Sequence, residues 1–268
     1  MSTAREKPRF WVLGGSDGEM GVIIELLGMA GEEWIQPQKE WGNLHFGFVQ
    51  IGKGEAELRD ITTIFVECGP RWNQENYPEI EVVFIDHHGE LSGRPASVLQ
   101  VLGILEKAGL KISDFTRRWV ELVAANDCAA YAGMESLGAT PEEIERVRAF
   151  TRKAQGITEE HKAVAREALG LSQQYGSVLV AKAPAGESIK NVCFLDLLYR
   201  SGRADQQYLL VGSGNFHFSG DGEICARLKK KFRGWAGGWG LGKKGDNRAF
   251  WGMNGSPKLL AQILAEIN

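Results

Sequence analysis

The stretch Val82-Val83-Phe84-Ile85-Asp86-His87-His88-Gly89 sets an acid and two imidazoles directly after four apolar residues. β-Branched and aromatic side chains in an unbroken run predict a buried parallel strand. In an open α/β sheet, ligands sit at the carboxyl ends of the strands, because loops there place side chains over a crevice that the sheet holds open. Asp86, His87 and His88 suit a divalent metal or a phosphate, although a histidine after a strand also serves as an ordinary loop residue. Three further acids end predicted elements. Asp17 follows the strand Phe10–Leu13 and the turn Gly14-Gly15-Ser16, Glu67 follows the strand Ile61–Val66, and Asp127 lies in the apolar run Ala124 to Ala130. Asp17 reads equally as the N-cap of the helix that starts near Met20. Asp127 could cap as well, but an acid with apolar flanks calls for a partner, a metal or strong hydrogen bonds.

The elements that carry these residues have a βαβ rhythm. The helix Met20–Leu27 follows the first strand, Pro95 to Ala108 has helical apolar spacing with Gly109 as its stop, and a further helix starts near Ser113 with Trp119, Leu122 and Val123 on one face. Residues 31–60 have no clear period and receive no assignment. Thr140-Pro141-Glu142-Glu143 is a capping box with proline at the first helical position. The two charged helices around it and after Thr158 read as a connector, with His161 as an exposed helix residue. The boundaries are therefore 1–150, a helical connector at 151–176, and a second unit at 177–268. That unit holds strands at Ser177–Ala181 and Gln207–Val211, a half-exposed strand at Asn215–Ser219, and helices at Asn191–Tyr199 and Gly222–Phe232. The fold class is α/β: a parallel sheet with helices on both faces, followed by a smaller C-terminal α/β domain.

A chain of 268 residues with 24% charged residues, 43% hydrophobic residues and a net charge of -3 is not a generic nucleic-acid coat. Apolar runs such as Val22–Leu27 are too short to cross a bilayer and the N-terminus has no apolar signal core, so the expectation is a cytoplasmic protein. Cys68, Cys128, Cys193 and Cys225 form no C-x-x-C pair, which predicts buried reduced thiols rather than a zinc ribbon. Basic character is local: seven Lys or Arg face one Asp between Lys229 and Trp251, interleaved with Trp235, Trp239 and Trp251 and with the glycines of 234–242. Cations, aromatic faces and a glycine loop can grip a phosphate and stack a base; a solvated helix end beside core tryptophans would look the same.

The order Asp17, Glu67, Asp86-His87-His88, Asp127, followed by Gly237-Gly238-Trp239-Gly240, resembles the DHH phosphoesterase superfamily over nearly the whole chain. The resemblance implies a DHH domain, a DHH-associated substrate-binding domain, divalent metal and a cytoplasmic hydrolase. Family members include RecJ-like exonucleases, oligoribonucleases, cyclic-dinucleotide phosphodiesterases and pyrophosphatases. The family's first motif, His-x-Asp-x-Asp, falls here on Leu13, Gly15 and Asp17, so only its last acid remains. Glu67 stands where Asp is usual, and the C-terminal loop lacks the histidine of Gly-Gly-Gly-His. By carry-over, Asp17, Glu67, His87 and Asp127 hold one ion, Mn²⁺ or Mg²⁺, to which such a mixed oxygen and nitrogen set is suited. Asp86 orients a ring nitrogen and His88 meets the substrate phosphate or leaving group. Gly237, Gly238, Gly240, Trp239, Lys243, Lys244 and Arg248 would hold the substrate.

The expected function is metal-dependent hydrolysis of a phosphodiester in a small nucleotide or short single strand. The alternative is a nucleotide- or phosphate-binding protein that keeps the fold and has lost turnover. A third reading is a Rossmann-like enzyme that uses the Gly14-Gly15 turn for a nucleotide cofactor. His45 or His217 are candidates to rebuild the missing ligands.

Overall fold

The computed structural model describes residues 7–37, 51–68, 77–184 and 186–267. The chain divides into two compact units. The first is Met1–His87 with Arg94–Ala124, and the second is His88–Gly93 with Ala125–Asn268.

The first unit is built on four parallel strands in the order β2-β1-β3-β4: β1 (Arg9–Leu13), β2 (Glu33–Ile35), β3 (Thr62–Val66) and β4 (Glu81–Ile85). Alternate side chains leave opposite faces of a strand. Phe10 and Val12 of β1 accordingly share a core with Phe65, Ile80 and Cys68, and with Leu58 from the short helix α2 (Glu55–Arg59). Trp11 and Leu13, on the opposite face, are fully buried. The helices α1 (Gly18–Ala30) and α3 (Ser97–Lys107) pack on each other, and each buries an apolar face, Ile23 and Leu27 on α1 and Val101 and Leu105 on α3. Gly109, at φ 105°, closes α3, and Leu110 N–H donates to Leu105 O. Of the unassigned stretch, residues 33–35 and 55–59 form β2 and α2, whereas 38–50, and His45 with them, lie outside the described residues.

One strand differs from expectation. β4 runs parallel as predicted, but among the described residues it pairs only with β3 and forms the sheet edge, so Val83 is 36% exposed instead of buried. A continuous apolar run is what a doubly covered strand shows, yet it does not by itself demand a neighbour on both sides.

Helix α4 (Asp114–Ser136) begins in the first unit and ends in the second. It is broken at Ala129 (φ -152°, ψ 21°) and Ala130 (φ 46°, ψ -129°), so its first helical stretch stops at Cys128. Gly133 has a steric reason, since a Cβ there would lie 2.2 Å from Ala125 O. Helix α5 (Pro141–Ala154) starts with the predicted capping box: Thr140 Oγ1 accepts from Glu143 N–H at 3.2 Å, and Glu143 Oε2 accepts from Thr140 N–H at 2.9 Å. In α6 (Glu159–Gly170) His161 is more than an exposed helix residue, because its Nδ1 accepts from Thr158 N–H at 3.1 Å, the part that Glu143 plays in α5.

The second sheet is mixed, in the order β5-β6-β7-β8-β10-β9, with only β6 and β7 parallel: β5 (Gln173–Tyr175), β6 (Val178–Lys182), β7 (Gln207–Val211), β8 (Asn215–Gly220), β9 (Trp235–Gly237) and β10 (Ala249–Asn254). Strand alternation again sorts two cores. Leu179, Ala181, Tyr208 and Leu210 join α6 and α7 (Asn191–Arg200) on one face. Val180, Leu209, Phe218 and Trp251 join α8 (Gly222–Phe232) and α9 (Leu260–Ile267) on the other. Trp251 is therefore a core residue, its indole N–H donating to Arg233 O at 2.7 Å. All four cysteines are buried and none is in a disulfide, in keeping with their spacing. No helix among the described residues is long and apolar enough to cross a membrane.

Candidate metal centre and substrate loop

In the first unit, register brings the strand ends level: Leu13 pairs with Val66, and Val66 with Ile85. The ladder continues one residue further, since Gly14 N–H donates to Val66 O at 2.9 Å and Glu67 N–H to Ile85 O at 2.8 Å. A Cβ on Gly14 would lie 2.6 Å from Glu67 O, so only glycine allows this approach. Glu67 then adopts φ 55°, a left-handed conformation that a long side chain rarely takes and that costs about 1–3 kcal/mol. Strain of this kind persists where the surroundings hold a side chain in place.

The side chain so held belongs to a group of largely buried residues that could hold a metal ion. Glu67 Oε1 lies 3.2 Å from His87 Nε2, and the two residues are each 5% exposed. The same ring nitrogen lies 3.2 Å from Oε2 of Glu19, a residue 1% exposed in the first turn of α1. Glu19 Oε1 meanwhile accepts from Val98 N–H at 2.8 Å. The N-cap of α3 is Ala96, whose side chain cannot cap, and Glu19 supplies the acceptor instead. Asp17 is the N-cap of α1, its Oδ1 accepting from Met20 N–H at 2.8 Å. Asp86 is half-buried, and its carbonyl accepts from Gln100 Nε2 at 3.2 Å. Cys68 Sγ donates to the carbonyls of Val12 and Val66 at 3.3 Å; burial pushes its thiol well up, which keeps it protonated.

A divalent ion of the Mg²⁺ class takes ligands at about 2.1 Å in octahedral geometry, which sets neighbouring donor atoms about 3 Å apart. The 3.2 Å between Glu67 Oε1 and His87 Nε2 fits that spacing.

In the second unit, His88 precedes a single 3-10 turn (Gly89–Leu91) and is half-buried, its ring edge-on to Phe250 with centroids 6.5 Å apart. A Cβ on Gly237 would lie 3.2 Å from His88 Cδ2. Asp127 and Cys128 close the first stretch of α4 with ligand atoms within 4.8 Å of each other, and Cys128 O accepts from Trp239 N–H at 3.2 Å. The candidate loop thus meets the Asp127 segment through its backbone. Its glycines have packing reasons: a Cβ on Gly238 would lie 2.4 Å from Arg248 O, and one on Gly240 2.7 Å from Asp246 O. Lys243 Nζ donates to Trp239 O at 2.8 Å. Arg248 is held two-pronged by Asp246, at 2.9 and 2.8 Å, with its guanidinium 5.8 Å from the Trp239 ring; these bonds hold the Asp246 carboxyl down at about 2. Lys243, Lys244 and Arg248 are all exposed. His217 stacks between Tyr208 and Phe250, at 6.2 and 6.1 Å.

The sequence reading missed Glu19. Its one signal is its place in the first turn of a helix, where acids are common because of the dipole alone.

No family model and no curated protein matches the chain. Among solved structures it is similar to a pGpG-specific phosphodiesterase, PggH, from Vibrio cholerae, at 13% identity and TM-score 0.39 over 97% of this chain and 99% of that one. It is also similar to RecJ from Thermus thermophilus in complex with Mg²⁺, at 13% identity and TM-score 0.48, over 97% of this chain and 48% of that one. The same RecJ in complex with Mn²⁺ gives 13% identity and TM-score 0.47, over 51% of that chain. Likeness at this level carries no argument about activity, so the functional reading rests on this chain's own residues.

Proposed function

We propose that the chain is a DHH-type phosphoesterase that depends on a divalent metal, Mn²⁺ or Mg²⁺, and hydrolyses a phosphodiester in a small nucleotide or short single-stranded oligonucleotide. The observation that carries this is the convergence of Glu67 and His87, buried at the ends of adjacent parallel strands with donor atoms 3.2 Å apart. Asp17 and Asp127 complete the ligand set in this reading. Asp127 ends a helical stretch, where the dipole disfavours a carboxylate and favours a cation. When bound, such an ion polarises a phosphoryl oxygen and acidifies water.

The chain's own residues do the rest. His88 donates a proton to the phosphate or leaving group, and Asp86 orients an imidazole of the motif. Lys243 and Lys244 neutralise phosphate charge, Arg248 assists from its Asp246 pair, Trp239 offers a face to a base, and Gly237, Gly238 and Gly240 let backbone approach the substrate. Residues 1–150 form the catalytic region and 177–268 the substrate-binding region, with 151–176 between them.

A second reading, a nucleotide-binding protein without turnover, is favoured by one observation: Leu13 is fully buried and apolar, and Gly15 has no side chain, so neither can donate a ligand. Hydrolysis of bis(p-nitrophenyl) phosphate and of short RNA and DNA oligomers, with and without Mn²⁺, separates the two. The phosphoesterase shows metal-dependent turnover that His87→Ala abolishes. A protein that binds a nucleotide by calorimetry yet turns over none of these substrates is the binding module.

A further inference from the structure

We propose that the cleft between α5, α6 and α7 is an anion site for a compact polyphosphate, the pyrophosphate group being the chemistry it fits. The cleft lies wholly in the second unit and uses none of the residues assigned above to metal or substrate, so it stands or falls apart from the phosphoesterase reading.

Helical spacing builds it. Side chains three, four or seven residues apart share a helix face. Glu145 and Arg152 on α5, Lys162 and Arg166 on α6, and Asp196 and Arg200 on α7 are set at such intervals and line one cleft of about 240 Å³. Four cations thus face two carboxylates, and Asp196 is already bound by Arg148 as well. Arg166 makes no hydrogen bond or ion pair among the described residues, and Glu159, the partner of Lys162, is an exposed side chain outside the lining.

Glu145 shows where an oxyanion sits. Arg152 Nη2 donates to its Oε1 at 2.5 Å and Arg200 Nη2 to its Oε2 at 3.4 Å, so two guanidinium groups from different helices hold the two oxygens of one carboxylate. Arg152 is itself fixed, its Nη1 donating to Asp196 Oδ2 at 2.7 Å and its side chain only 14% exposed. A guanidinium fork held in place suits phosphate oxygens and loses little further freedom on binding them. The Glu145 side chain is 56% exposed, and exposed ion pairs are weak, so a phosphate with more charge and more oxygens displaces it. The volume is below the roughly 300–1,000 Å³ of pockets that enclose drug-sized ligands, which favours a diphosphate group over an oligonucleotide.

The competing explanation is an ion-pair network that serves stability alone. It accounts for Arg152, which is tied to Asp196, but leaves Arg166 facing the same cleft with no acid to meet.

The two roles separate by calorimetry on the full chain without divalent metal, with pyrophosphate, ADP and inorganic phosphate titrated in turn. Wild type should bind pyrophosphate at least about tenfold more tightly than phosphate, because the second phosphoryl group gains further charge-assisted hydrogen bonds. Arg166→Ala with Arg200→Ala removes two exposed cations and should weaken pyrophosphate binding by at least about tenfold, with the melting point unchanged. Glu145→Gln removes the resident charge and should tighten binding by up to about fivefold, the strength of an exposed ion pair. ADP that binds with the same response to both variants makes a nucleoside diphosphate the source of the group; pyrophosphate binding without ADP binding makes it the free ion. A wild-type chain that binds neither, or that binds phosphate as tightly as pyrophosphate, overturns the proposal. So does binding that survives R166A/R200A or fails to tighten in E145Q.

Discussion

In the second unit, Asp196 Oδ1 accepts from Arg148 Nη2 at 2.6 Å and from the Tyr131 hydroxyl at 2.7 Å, and Oδ2 accepts from Arg152 Nη1 at 2.7 Å. Arg148 also donates from Nε to Asp196 Oδ1 at 2.9 Å, from Nη1 to Asn126 Oδ1 at 2.9 Å and from Nη2 to Val192 O at 3.1 Å. In the first unit, by contrast, two carboxylates approach one imidazole nitrogen, which can offer at most one proton. Both clusters are buried; around His87 two carboxylates face one ring nitrogen, whereas around Asp196 guanidinium and hydroxyl donors meet one carboxylate. Burial would raise the Asp196 carboxyl, yet the charge of Arg148 and the bonds from Tyr131, Arg148 and Arg152 outweigh it and hold it below its ordinary value. A matched network stabilises a fold, whereas convergent acceptors suit a cation.

That contrast can be broken most directly at Arg148. Arg148→Ala leaves a buried carboxylate without its main partner and should cost about 3–5 kcal/mol in urea unfolding while Mn²⁺ affinity stays at the wild-type value. Loss of Mn²⁺ binding in a folded R148A chain would erase the distinction between the two clusters.

His217 sharpens the comparison as a third kind of buried group, one kept neutral. Its Nε2 is buried with no hydrogen-bond partner among the described residues, and burial lowers it from 6.5 to about 4. Between these values the unfolded chain binds more protons than the folded one. Stability is therefore complete above about pH 6.5 and falls as the pH drops towards 4, by at most about 3 kcal/mol. Urea midpoints across that range should slope in wild type and flatten in His217→Phe; equal slopes would place the titration elsewhere.

The smallest effect is expected at the exposed cations. Lys243→Ala with Lys244→Ala should raise KM about tenfold, about 1.4 kcal/mol, without moving Mn²⁺ affinity. An unchanged KM would confine the basic segment to solvation.

Much of the fold was legible because periodicity and caps report on local geometry. β1, β3, α3, the Thr140 capping box and the alternation in β8 all follow from side-chain spacing. The edge position of β4 was not legible, since a run of apolar residues does not state how many neighbours pair with it. At the candidate site, Glu67 and His87 could be found because each follows a strand, where chemistry is expected. Glu19 could not, because its partners His87 and Val98 lie 68 and 79 residues away. The Arg148–Asp196 pair, 48 residues apart, is hidden for the same reason, and helix α5 accordingly read as part of a connector.

The bond from Val98 N–H to Glu19 has a kinetic consequence. An α-helix is costly to nucleate, and α3 has no side-chain cap of its own, so its first turn gains its acceptor only once a segment 79 residues earlier has docked. Closing so long a loop is a non-local step of the kind that slows folding. Helix α3 and the first turn of α1 then mature together, so hydrogen-exchange protection at Val98 should appear with that of α1 during refolding rather than precede it.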